Sequence, residues 1–193
     1  MNIRPFYVLL VLALLPLAVY AAITFRQGTA EDAKDLAKTH FLCWQGTYKG
    51  ILPDKLNDEQ TEESFLKYWD NYFASENGNS SFVILATEDN NILGFAAAGP
   101  TIHDSEFTKN HDGELYKLYI SPLAQRGGLG TMLLKKAQEK LKELGYKKMV
   151  IKALKENKKA NDFYTKQGGL ALGYDVFTQE PLTHKIYFSF NLA

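Results

Sequence analysis

The sequence predicts an α/β protein, layered in the α+β manner: a mixed sheet of about seven strands with helices packed on both faces. Three observations lead there. Seven short strand-like runs are interleaved with helical periodicities along most of the chain. The apolar run 114–120 empties through Gln125-Arg126-Gly127-Gly128-Leu129-Gly130 into a clean amphipathic helix. Glycines close the later helices, Gly145 after one and Gly168-Gly169 after the next.

The elements follow in order. Residues 23–26 alternate and predict a short first strand. Thr29 is a helix N-cap with Asp32 three residues on, an acidic variant of the capping box. That helix carries Ala33, Leu36, Ala37, Phe41 and Leu42, and the pattern breaks at residues 51–54 around Pro53. Phe65, Leu66, Trp69, Tyr72 and Phe73 recur at helical spacing and predict a second helix over 61–73. Residues 75–81 are a polar loop in which Asn79-Ser80-Ser81 matches a glycosylation sequon. Strands at 82–88 and 92–100 are joined by the turn Asp89-Asn90-Asn91. A polar loop with His103 and His111 leads to the strand at 114–120. In the helix after Gly130, Leu133, Leu134, Ala137, Leu141 and Leu144 form the apolar face. A strand at 147–154, a helix capped by Asn157, and strands at 173–178 and 184–190 complete the chain.

Formal net charge is zero, but the charge is unevenly placed. Residues 23–114 hold 16 acidic and 7 basic side chains, and residues 115–193 hold 6 and 14. An anionic ligand on the basic half and a cationic one near the acidic half fit this asymmetry, as do solvated helix faces. Cys43 is the only cysteine, so no intrachain disulfide forms, and its helical setting reads as a buried structural thiol. Arg4 precedes an apolar run with small residues at its end, the pattern of a secretory signal over residues 1–22 with a cleavage position after Ala21, or of a membrane anchor through residues 5–22. The folded domain is expected over 23–193.

The glycine loop is where chemistry is expected. Glycine lets the backbone approach a ligand closely, the first-turn N–H groups of a helix lack intrahelical partners, and their partial positive charge favours an anion. Arg126 adds a full charge. A P-loop requires Gly-Lys-Ser/Thr, whereas Gly130 is followed by Thr131-Met132. A Rossmann turn requires a small residue where Leu133 stands. A tight turn with no ligand is the bland alternative.

Three segments together resemble the GCN5-related N-acetyltransferases, and the resemblance runs from Ile23 onward. Residues 125–130 satisfy the family's Gln/Arg-x-x-Gly-x-Gly/Ala signature. The strand beginning at Glu114 is similar to the family's splayed central strand. Glu156-Asn157-x-x-Ala160-x-x-Phe163-Tyr164-x-x-x-Gly168 is similar to its last-helix pattern. Residues 45–53 also resemble an acceptor-side segment of bacterial small-molecule members. The resemblance implies acetyl-CoA as co-substrate, with no metal, and direct acetyl transfer to a primary amine. Its pyrophosphate is expected on Gln125, Arg126, Gly127, Gly128, Leu129, Gly130 and Thr131. Its pantetheine arm is expected along Leu118, Tyr119 and Ile120 as an added strand, with Asn157 beside it. Glu114 aligns with the family's base and Tyr164 with its general acid, and a backbone N–H near Leu118 would meet the developing oxyanion. The alternatives are an exposed strand-edge carboxylate for Glu114 and a core aromatic for Tyr164.

Trp44, Tyr48 and His103 are candidates for the acceptor site. Trp69 and Tyr72 join Trp44 and Tyr48 as rings able to cage a cation, with Trp69 better read as core. The acidic front half favours a small cationic amine. A protein lysine or N-terminus, or a non-catalytic CoA-binding module, are the other readings. Nucleic acid is not expected as a partner, and a homodimer is left open. The N-terminus predicts export or membrane anchoring while the co-substrate predicts a cytoplasmic enzyme, unless the true start lies near Ile23. Gly168-Gly169-Leu170 departs from the family's Gly-Phe and is expected to affect packing rather than catalysis.

Overall fold

A computed structural model describes residues 22–75, 80–179 and 182–193. The signal-like segment up to Ala21 and the sequon residue Asn79 lie outside them. Among the described residues seven strands form one sheet in the order β1-β2-β3-β4-β5-β7-β6. They are β1 (Thr24–Gln27), β2 (Phe82–Glu88), β3 (Asn91–Pro100), β4 (Gly113–Ile120), β5 (Lys148–Leu154), β6 (Leu170–Gln179) and β7 (Leu182–Asn191). Every pairing is antiparallel except β4 with β5. The α-helices of the described residues are α1 (Ala33–Tyr48), α2 (Asp54–Asp58), α3 (Glu62–Ala74), α4 (Leu129–Glu143) and α5 (Lys158–Lys166). Among the described residues no helix is long and apolar enough to cross a membrane.

Local signals account for the element boundaries. Thr29 and Asp32 form the expected capping box, although it opens a 3-10 turn, Ala30–Asp32, that precedes α1. Thr61 caps α3 through the Ser64 N–H, and the Asn157 Oδ1 caps α5 by accepting from the Ala160 N–H at 3.1 Å. The β2–β3 turn places Asp89 and Asn90 at φ of 47° and 65°, as a tight hairpin requires. Two features differ from expectation. Pro53 opens the short helix α2 rather than a loop, since proline suits the start of a helix. Leu144, expected on the apolar face of α4, is 52% exposed because α4 ends one residue before it.

Two cores flank the sheet. On one face, Leu129, Leu133, Leu134, Ala137 and Leu141 of α4 pack with Tyr164 of α5 on Ala96, Leu115, Met149 and Phe188. On the other, Leu36 and Ala37 of α1 and Phe65 and Trp69 of α3 pack on Val83, Leu85, Phe95 and Ala97. Gly169 is required by close approach: a Cβ there would lie 2.7 Å from the Phe190 ring and 2.9 Å from the Tyr164 carbonyl oxygen. The Gly168-Gly169 pair thus lets β6 start directly under α5.

Candidate active site

The site begins with an interruption in the sheet. β4 pairs with β5 only from Gly113 to Leu115, opposite Met149 to Ile151. At the same point the β3–β4 register shifts, so that Ala97 faces Lys117 while Ala98 faces Leu115, leaving Tyr116 as an extra residue. Such a bulge bends and twists its strand. Beyond it, residues 116–120 have no strand partner on the β5 side, and a cleft opens between the two strands.

At the far end of β4 the chain passes through a 3-10 turn, Pro122–Ala124, into the glycine loop. Arg126 takes φ 71° and Gly128 φ 78°, both left-handed. Gly128 is the N-cap of α4 and supplies no side-chain cap, so the first-turn N–H groups face outward without one. A Cβ on Gly127 or Gly128 would meet at most the Ala124 carbonyl at 4.0 Å, so the outer surface of the loop is bare backbone. Gln125 uses its side chain locally, donating to the Ile120 carbonyl at 3.1 Å. These donors suit a diphosphate.

On the α1 and α3 side the cleft widens into a cavity of about 490 Å³, whose lining includes His40, Trp44, Tyr48, Phe65, Tyr68 and Tyr119. Trp44 and Tyr48, both anticipated, lie there with ring centroids 4.3 Å apart. The Trp44 indole N–H donates to the Asn57 side-chain oxygen at 3.2 Å, and the Tyr119 and Tyr48 hydroxyls are 3.3 Å apart. The Tyr164 ring packs 5.6 Å from Phe188 in the α4 core. Its hydroxyl is within electrostatic reach of those of Tyr48 and Tyr119, and burial, then the Tyr48 neighbour, raises its pKa and keeps it protonated. The core reading of Tyr164 is thus met by its ring, which is buried in the α4 core.

Glu114 is not an exposed edge carboxylate but is 4% exposed. It accepts from the Ile102 N–H at 2.9 Å and pairs with Lys152 at 3.2 Å. Burial raises its pKa, opposed by the Ile102 hydrogen bond and the Lys152 charge. Lys152 also reaches Asp104 at 2.7 Å, so the two carboxylates share one ammonium that lines the cavity. His103 does not join this group. It lies with His111 along a separate hollow, where its Nδ1 is 3.2 Å from the Thr108 carbonyl. Among the described residues the charged groups lining the aromatic cavity are Lys117, Lys152 and Lys185, and no carboxylate of the front half joins them.

His40 was not anticipated as a site residue. It is 2% exposed, lines the cavity, and neither ring nitrogen has a hydrogen-bond partner among the described residues. The sequence signal was available, since Leu36, His40 and Cys43 share the buried stripe of α1. Burial, and secondarily the Lys117 charge, pushes its pKa down to about 2. The unfolded chain, with an ordinary histidine at 6.5, therefore takes up a proton that the folded chain refuses. Stability is undiminished above pH 6.5 and falls as pH drops below it, by up to about 1.4 kcal/mol per pH unit. Urea titrations from pH 7 to pH 4.5 should show this slope, and His40→Asn should flatten it by about one proton.

Comparison with known proteins places this geometry. The family described as Acetyltransferase (GNAT) family matches residues 44–169. The uncharacterized N-acetyltransferase YuaI of Bacillus subtilis is 34% identical over 136 residues, covering 70% of this chain and 73% of that one. Among solved structures, the paia N-acetyltransferase of Thermoplasma acidophilum in complex with coenzyme A has a TM-score of 0.66 at 20% identity, covering 88% of this chain and 99% of that one. The structure of yncA from Salmonella typhimurium with its cofactor acetyl-CoA also has a TM-score of 0.66, at 15% identity, covering 90% and 95%. At such identities the two structures establish the fold alone.

Proposed function

Because this chain belongs to the acetyltransferase (GNAT) family and is an N-acetyltransferase, we propose that it transfers the acetyl group of acetyl-CoA directly to a primary amine of a small molecule seated in the aromatic cavity. The observation that carries the reading is the cleft between β4 and β5, which opens into the aromatic cavity, while the chain leaving β4 carries bare backbone donors at the start of α4. Coenzyme A and acetyl-CoA accompany the two solved relatives just described. On this reading the loop from Gln125 to Thr131 takes the diphosphate. The unpaired edge of β4 at Leu118, Tyr119 and Ile120, with Asn157, takes the amide-rich arm.

Bound acetyl-CoA supplies an activated thioester, so the exchange makes one N–C bond, breaks one C–S bond and moves one proton from the amine to the sulfur. The protein's residues divide the remaining work. An amine near pKa 10 must lose a proton before it can attack. Glu114, made more basic by burial, takes it through water, because the carboxylate sits behind Lys152 rather than in the cavity lining. A backbone N–H near Leu118 faces the charge developing on oxygen. The Tyr164 hydroxyl donates to the departing thiolate. A thiol with pKa of about 8.5 needs this help only modestly, so Tyr164→Phe should lower kcat roughly tenfold, below the usual range for acid–base groups. Its dissociation constant for acetyl-CoA, measured by calorimetry, should be unchanged.

The cofactor assignment is tested by calorimetric titration of acetyl-CoA into the full chain beside Gly127→Glu. Gly127 has open space around it and is not among the glycines at positive φ, so the carboxylate is introduced without backbone strain. The parent should bind in the micromolar range and the variant should lose at least about tenfold through like-charge repulsion. Equal binding by both would remove the loop as the diphosphate site. A screen of amines for acetyl-CoA-dependent release of free thiol then identifies the acceptor.

A further inference from the structure

The cavity's charge argues for a particular kind of acceptor, an inference that rests on the transferase reading above. Among the described residues its ionic lining is wholly cationic: Lys117, Lys152 and Lys185. Lys152 is neutralised by Glu114 and Asp104, and Lys185 stands 3.9 Å from the same Asp104. Lys117 is different. Among the described residues no carboxylate lies within 4 Å of it, and its ammonium is held 4.4 Å from the centroid of the Tyr68 ring. It projects from the unpaired stretch of β4, where the bulge at Tyr116 puts it on the α1 side of the sheet. His40 lines the same cavity, and both of its ring nitrogens are buried without partners. A neutral imidazole carries one N–H donor and one acceptor nitrogen. An unsatisfied buried polar group of this kind is costly unless a ligand completes it.

We propose that the acceptor is an amine that also carries a carboxylate, with an apolar or aromatic body: the class of α-amino acids with apolar side chains. Lys117 and the His40 N–H receive the carboxylate, Trp44, Tyr48, Phe65 and Tyr119 enclose the apolar body, and the amine lies toward the cleft. Three lysines with two acidic partners leave a surplus of positive charge, so a polycationic amine enters against repulsion while an anion enters with charge-assisted hydrogen bonds. This reverses the expectation drawn from the acidic front half of the chain, whose carboxylates lie outside the cavity lining.

The test separates charge from shape. The full chain, saturated with CoA, is titrated with 3-phenylpropionate and with 2-phenylethylamine, two probes of similar size and opposite charge. The carboxylate should bind at least about tenfold more tightly, as expected for a charge-assisted contact in a partly buried site. Lys117→Met, which keeps the stem against Tyr68 and removes the charge, should erase that preference; its thermal melting curve checks that it is folded. Equal or tighter binding of the amine by the parent would overturn the proposal. So would a carboxylate affinity unchanged in the variant, or no carboxylate binding by a protein that binds CoA. The transferase reading fails on a different result: a chain that binds the carboxylate but neither CoA nor acetyl-CoA would sink that reading and leave the anion-accepting cavity standing.

Discussion

Glu114→Gln is expected to lower kcat by roughly 10²- to 10³-fold, within the range seen when a general base is removed. The substitution is close to isosteric. The amide oxygen can still accept from the Ile102 N–H, and Lys152 keeps Asp104 at 2.7 Å, so no buried charge is left stranded. What is lost is an acceptor for the amine's proton. The pH profile distinguishes this role from a structural one. Because burial raises the pKa of Glu114, the acid limb of kcat/KM should fall above the 4.5 of an ordinary glutamate. In the variant that limb should vanish, and added small bases should partly restore turnover. A variant that keeps the limb while losing only stability would assign Glu114 to holding Lys152 and Asp104 in place.

Trp69→Ala should destabilise the fold by about 3–5 kcal/mol, the usual cost of emptying a buried aromatic site. Trp69 is fully buried, and its ring lies 5.4 Å from Phe95, 5.8 Å from His40 and 5.0 Å from Tyr68. Together with Phe65 it packs α3 against α1 and the sheet, so the cavity wall should loosen with it. Trp69→Phe offers a sharp contrast. The indole N–H is buried without a partner among the described residues, and phenylalanine removes that unsatisfied donor along with part of the ring. Its cost in urea denaturation should be well under half that of alanine. Equal losses for the two substitutions would mean that the aromatic volume of Trp69 contributes little.

Much of this architecture was legible before any coordinates. The strand–glycine–helix junction at residues 114–130, the hairpin turn at Asp89-Asn90 and the caps at Thr29 and Asn157 are all local, each decided by backbone conformations that few residue types adopt. Trp44 and Tyr48 line one cavity, as residues four apart on one helix face can. His103 was not brought to that cavity, since a loop's path over the surface depends on what it packs against. The environment of Glu114 was equally hidden. Its partners Ile102 and Lys152 are 12 and 38 positions away in the chain, and a strand residue's periodicity says nothing about which ions the next strand supplies.

The charge of the cavity is not legible from the order of residues along the chain. Counting charges along the chain averages over faces, whereas a ligand meets only the few that converge. The described acidic residues of the front half are mostly exposed, on helices, turns and loops, while Lys117, Lys152 and Lys185 come from three different strands and meet only because the sheet brings β4, β5 and β7 together. Residue pattern alone specifies the order of the main strands and helices, the α/β class, the phosphate-suited loop and the family. Long-range packing sets where β4 parts from β5, which rings and lysines line the resulting cavity, and the burial of Glu114 and His40. Secondary structure and turns follow from local sterics and periodicity, but a strand bulge, a cleft and a site's net charge are products of packing between segments far apart in the chain.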